Sequence, residues 1–131
     1  MNPFFPHEAT TDGVTVRVAV SFEPERSAPA HGRFFWTYHI RVENHRAEAV
    51  QLRTRRWVIT DGRGARHVVA GDGVIGEQPV IQPGGAYDYV SGCPLDTPTG
   101  AMQGSYGMVD GYGDPFTVAI PRFVLPSPID A

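Results

Sequence analysis

The chain contains no lysine; its 11 basic side chains other than histidine are all arginines. That absence excludes a lysine Schiff base, a P-loop lysine and any lysine nucleophile, so three common catalytic designs fall away together. The lone cysteine, Cys93, cannot close an internal disulfide and fits a reducing compartment. No apolar run approaches the roughly 20 residues that a membrane-spanning helix needs, and the 3.6-residue apolar period of an amphipathic helix is missing throughout. Residues 1–8 are acidic, hold Pro3 and Pro6, and lack the charged and apolar segments of a secretory leader. A cytoplasmic protein without membrane insertion is expected. A net charge of -3 offers no concentrated positive field for phosphates, and no nucleic-acid partner is expected.

What remains is an ordinary globular composition at a length that fits one domain, residues 1–131, able to bury about two-thirds of its unfolded surface. The 15 glycines and 12 prolines point to many turns between short strands. Val14, Val16, Val18, Val20 and Phe22 alternate with Thr15, Arg17, Ala19 and Ser21, which predicts a strand with one apolar face. Residues 23–32 read as an exposed loop. Phe34, Trp36, Tyr38, Ile40 and Val42 predict a central core strand with Arg41 turned outward. In the next strand Val50 and Leu52 share one parity but Trp57 and Ile59 the other, so a bulge within Arg53-Thr54-Arg55-Arg56 is required to bury all four. Asp61-Gly62-Arg63-Gly64 predicts a hairpin turn into residues 65–70, followed by short strands at 80–81 and 86–91, the latter ended by Gly92-Cys93-Pro94. Residues 102–108 and 116–125 complete the set. In the last of these the apolar face changes across Pro121-Arg122, where a proline fits only an edge or a bulge. The expected fold class is all-β, an antiparallel two-sheet sandwich of immunoglobulin or fibronectin type III kind with 7–8 strands.

Several segments invite a functional reading. Gly71-Asp72-Gly73-Val74-Ile75-Gly76 spells the G-x-G-x-x-G of a dinucleotide site, yet Pro79 and the run Pro83-Gly84-Gly85 leave no room for the helix that would present its amides to a pyrophosphate. Gly71, Gly73 and Gly76 therefore read first as a turn, with anion binding through its amides as the alternative. Arg53, Arg55 and Arg56, with Arg41 on a neighbouring outward face, read first as a solvated face paired with Glu43 or Glu48, and the functional alternative is that they gather at the bulge and grip a phosphate or carboxylate in bidentate fashion. His7, His31, His39, His45 and His67 form no H-x-H or H-x-x-x-H pair, so neither a metal site nor a cofactor is expected. Cys93 before Pro94 reads as an inert buried thiol, and Ser91 lacks the nucleophile elbow of a serine hydrolase. No catalytic residue is assigned.

Six blocks in order carry a resemblance: Arg53-x-Arg55-x-Trp57-x-Ile59-x-Asp61, Gly71-x-Gly73-Val74-x-Gly76-Glu77-x-Pro79, Pro83-Gly84, Tyr89-x-Ser91-Gly92, Thr97-Pro98-x-Gly100-x-Met102-x-Gly104-x-Tyr106 and Phe116-x-Val118-x-Ile120-Pro121-x-Phe123-x-Leu125. Together they resemble the ApaG family over nearly the whole chain. The resemblance implies a fibronectin-like sandwich, found alone in bacteria and as a C-terminal module of some eukaryotic F-box proteins. It also implies a cytoplasmic protein associated with cobalt and magnesium efflux and resistance, here in an accessory role, since nothing in the chain spans a membrane. The expected function is a non-enzymatic binding or regulatory module that engages another protein, with outward Phe35 and Tyr112 as aromatic anchors. The alternative is a binder of a small anion or nucleotide metabolite, of pyrophosphate or dinucleoside polyphosphate type, through Arg53, Arg55, Arg56 and the glycine turn. A homodimer stays open.

Overall fold

The computed structural model describes residues 4–128; Met1, Asn2 and Pro3 of the amino-terminal stretch lie outside the described residues. Nine strands follow one another: β1 (His7–Thr11), β2 (Val14–Phe22), β3 (Phe34–Asn44), β4 (Val50–Asp61), β5 (Arg66–Asp72), β6 (Val80–Ile81), β7 (Ala86–Leu95), β8 (Gly100–Val109) and β9 (Pro115–Leu125). They build two antiparallel sheets, one ordered β1-β2-β3-β7 and the other β5-β4-β8-β9, with β6 added beside β4. The sandwich read from the alternation is thus the fold.

The alternating apolar residues of β2 and β3 meet those of the second sheet in one core. Val14, Val16, Val18, Trp36, Ile40 and Val42 are buried from one side, and Leu52, Met102, Tyr106, Met108, Phe123 and Leu125 from the other. Burial of this apolar surface is the main driving force for closing the two sheets. The Trp36 indole N–H donates to the Pro126 carbonyl at 2.8 Å, so its polar edge is satisfied inside the core. On the outer face of the first sheet, Glu8, Arg17, Arg41 and Asp88 lie in one cross-strand row, and Glu43 accepts from both Arg17 and Arg41.

Two irregularities expected from the parity changes are present. Between Leu52 and Thr54 the β4–β8 register shifts by one, which makes Arg53 the extra residue of a bulge. The β8–β9 register shifts where Pro121 and Arg122 sit, on a strand that is also the edge of its sheet.

Three readings need correction. The strand count among the described residues is nine, because His7–Thr11 pairs with β2 although its sequence His-Glu-Ala-Thr-Thr has almost no apolar face to announce it. Gly92-Cys93-Pro94 does not end β7, which runs on to Leu95 in register with Phe34. Pro94 is tolerated there because β7 is an edge strand. Gly92 is needed because a Cβ at that position would lie 2.2 Å from the Phe35 ring. Phe35 is accordingly a covered residue rather than a free anchor: its ring is capped by the Arg26 guanidinium, 4.0 Å from the centroid. Tyr112 is 81% exposed.

Candidate functional site

β1 and β2 close against β9 on one side of the sandwich. On the other side the β7 edge and the β5 edge stand apart, and between them opens a cleft of about 480 Å³. Its volume falls in the ordinary range of small-ligand sites. Trp57, Ile59, Val69 and Met102 form one wall, Tyr38 and Pro94 the other, and Val74 with Ile75 forms a lip. Tyr38 and Trp57 pack edge to face across the floor at 5.4 Å between ring centroids.

Four polar groups converge on this apolar space. Arg55 reaches it because the bulge at Arg53 resets the parity of β4, so that Arg55 joins Trp57 and Ile59 on the inner side. Its Nη1 donates to the carbonyls of Asp72 at 2.9 Å and Gly73 at 3.0 Å, which pins the guanidinium against the glycine turn. Nη2 and Nε have no protein hydrogen-bond partner among the described residues. Tyr38 faces Ser91 on the paired strand; burial raises the Tyr38 pKa, and the neighbouring Ser91 and the Arg55 charge offset part of that rise. Tyr89 and Tyr106 share a short hydroxyl–hydroxyl bond that joins the two sheets. Burial pushes Tyr89 well above the ordinary phenol range, Tyr106 likewise, and raises the Cys93 thiol to about 11. All of these hydroxyls and the thiol are therefore neutral at pH 7, and no carboxylate or imidazole lines the cleft. The arrangement offers one fixed cation and neutral hydrogen-bonding groups in apolar surroundings.

The arginines singled out in the sequence do not form one site. Arg41 lies on the outer face of the opposite sheet and is engaged by Glu43 at 3.0 Å and Asp88 at 2.8 Å. Arg53 donates to Gln51 at 3.0 Å as the bulge residue, and Arg56 points outward from the five-stranded sheet and is exposed. Arg41 thus meets the Glu43 pairing read from the sequence, while the alternative cluster is undone by the bulge itself: one inserted residue sends Arg55 inward and leaves its neighbours outside.

The glycines act as a turn. Gly73 and Gly76 have φ of 64° and 80°, and Val74 and Glu77 bond each other in both directions around Ile75 and Gly76. Gly71 has no left-handed backbone; a Cβ there would lie 3.1 Å from the Arg55 guanidinium nitrogens, so its role is to let Arg55 lie across β5. No helix follows. Among the described residues no group of three or more His, Cys, Asp or Glu side chains is placed to hold a metal ion.

Tyr38, Trp57, Tyr89 and Ser91 were not recognisable as site residues from sequence. The available signal was that tyrosines on the buried parity of β3 and β7 must find partners for their hydroxyls.

Comparison with known proteins agrees with this architecture. The ApaG domain family matches residues 24–110. Protein ApaG of Rhodospirillum centenum is 49% identical over 93% of this chain and 94% of its own length, and Protein ApaG of Afipia carboxidovorans is 52% identical over the same shares. A solved structure from Bordetella pertussis, described under the name ApaA, superimposes with a TM-score of 0.85 at 41% identity, covering 88% of this chain and 94% of that one. No helix among the described residues is long and apolar enough to cross a membrane. With a family match over most of its length and relatives near half identity, the chain belongs to the ApaG family.

Proposed function

We propose that this ApaG-family chain is a non-enzymatic binding module whose recognition site is the inter-sheet cleft, and that its ligand carries a single carboxylate-type anion on an apolar body. The observation that carries this reading is Arg55: a guanidinium held by two backbone carbonyls, with its second edge free, at the margin of a mostly apolar cleft. One cation among aromatic and aliphatic walls suits a monoanion. A pyrophosphate or dinucleoside polyphosphate would bring several charges to a place where Arg53 and Arg56 do not face. Binding is favoured over catalysis because Cys93 and the tyrosines are held neutral with no base beside them. In this reading the accessory role in cobalt and magnesium efflux implied by the family resemblance is that of a cytoplasmic, ligand-responsive regulator acting on a protein partner.

Trp57 lies in the cleft wall and reports occupancy by its fluorescence. Titration with 4-phenylbutyrate should give a saturable change, and its neutral amide should bind far more weakly. Arg55→Gln should weaken the carboxylate by about 10- to 100-fold, as expected for a charged hydrogen bond of about 1.5–3 kcal/mol, while Arg56→Gln leaves it unchanged. Equal binding of acid and amide, or saturable pyrophosphate binding without either organic probe, would overturn the proposal.

A further inference from the structure

The free edge of β5 has the features of a self-pairing surface. β5 pairs with β4 alone, and all but one of its residues are exposed, including Val68 at 57% and Val69 at 44%. The strand contains no proline, no lysine and no bulge, which are the usual devices that block edge pairing. Of the other edges, β1 also lacks these devices but closes against β9, and the remaining two are treated differently. β9 contains Pro115 and Pro121 and receives Thr11 at the Ala119 amide, and β7 contains Pro94.

The direction of the unpaired groups follows from the two ends of the strand. Asp61 N–H donates to the Ala65 carbonyl at 2.9 Å, and Gly73 N–H donates to the Arg53 carbonyl at 2.7 Å. Both bonds fall in the register that pairs Arg55 with Gly71 and Trp57 with Val69. Because hydrogen-bonded and non-bonded pairs alternate in an antiparallel ladder, the peptide groups of His67, Val69 and Gly71 face β4. Those of Arg66, Val68, Ala70 and Asp72 therefore point away from the sheet, open to another strand.

We propose that two copies of this chain pair along this edge, antiparallel about a two-fold axis at Val69, with Arg66 of each opposite Asp72 of the other. Centred there, the outward peptide groups coincide: Arg66 meets Asp72, and Val68 meets Ala70, giving about eight backbone hydrogen bonds between the copies. The same register sets opposite charges against each other at both ends and apolar side chains in the middle. Neither Arg66 nor Asp72 makes an ion pair among the described residues of its own chain. Two-fold centres at Val68 or Ala70 also match the peptide groups, but they leave Arg66 without Asp72 opposite. Charge complementarity thus selects both the occupant, a second copy, and the register. Pairing would join the two five-stranded sheets into one and bring Val69, which lines the cleft, against Val69 of the second copy.

The test is sedimentation equilibrium of the whole chain from about 5 μM to about 500 μM. The wild type should show a monomer–dimer equilibrium. Asp72→Arg alone and Arg66→Asp alone should each raise the dissociation constant by about tenfold or more, since like charges then face each other at both ends. The double swap should restore it. Val68→Pro removes an N–H that points outward and should abolish the dimer while circular dichroism stays that of the wild type; if that variant unfolds, the charge swap decides alone. A chain that is monomeric throughout the range overturns the proposal, as does a dimer that the single charge reversals do not weaken or that the double swap does not rescue.

Discussion

Gly73→Ala separates two costs that glycines in turns usually combine. Gly73 has a φ of 64°, and a Cβ built on it would lie 2.1 Å from the Glu77 carbonyl oxygen, where a C···O contact normally sits near ~3.3 Å. The left-handed backbone alone costs an alanine about 1–2 kcal/mol. The clash adds to it, because the Glu77 carbonyl must move by more than about 1 Å and is the acceptor for Val74 N–H at 2.8 Å. Giving up the reciprocal Val74–Glu77 bonds costs a further 1–3 kcal/mol or so, at roughly 0.5–1.5 kcal/mol each. The expected loss is about 2–5 kcal/mol, a large share of the roughly 5–15 kcal/mol that holds a domain together. Gly76 provides the control. Its φ is 80°, yet nothing lies within 4 Å of its added Cβ, so Gly76→Ala should lose only the backbone cost. Urea denaturation of the wild type and both variants measures the difference. Equal losses at the two positions, or a Gly73→Ala loss below about 1 kcal/mol, would refute the assignment of Gly73 to a sterically closed turn.

The Tyr89–Tyr106 hydroxyl pair is buried at the interface of the two sheets. Tyr89→Phe should cost about 1–3 kcal/mol by leaving the Tyr106 hydroxyl without a partner. The double phenylalanine variant should be no less stable than the single one; additive losses in a double-mutant cycle would contradict this. Acid stability should depend on Glu43: burial pushes its carboxyl up, but Arg17, Arg41 and His45 outweigh that and hold it below the ordinary glutamate range. A carboxyl with a lowered folded pKa contributes stability above its unfolded value and loses it as pH falls, so the wild type should weaken as pH drops from about 5 toward 3. Glu43→Gln should show a flatter Tm against pH in that window, and an unchanged slope would place the proton uptake elsewhere.

The parts of the fold that were legible in the sequence are those where burial forces a strict two-residue period. Val14 to Phe22 and Phe34 to Val42 each have one apolar face and one polar face, and each is a strand in the structure. The bulge near Arg53 and the irregularity at Pro121-Arg122 were legible for the same reason: a parity change within one strand leaves no other way to keep both halves buried. β1 was not legible, because as an edge strand its residues are only half covered and its pairing comes from backbone bonds that any sequence supplies. The continuation of β7 through Pro94 was hidden by local turn propensity, which the pairing with β3 overrides.

The cleft was less legible than the fold because it is a product of topology. Its walls come from strands far apart in sequence, and it exists because β7 and β5 happen to be the two facing edges of the sandwich. Within it the glycine-rich turn was read correctly as a turn, but its connection to Arg55 was not visible, since nothing in the spacing of Arg55 and Gly73 states that one clamps the carbonyl of the other. That clamp also bears on the strained residue beside it. Ile75 adopts a φ of 44°, which is costly for a β-branched side chain, and it is 58% exposed at the cleft lip, so burial of its own side chain does little to compensate. What holds it are the Val74–Glu77 bonds on either side, buried Val74 beneath, and Arg55 on the preceding carbonyls. The local strain, the inward arginine and the cleft margin are thus parts of one arrangement, and the extra residue at Arg53 is what allows β4 to supply its share of it.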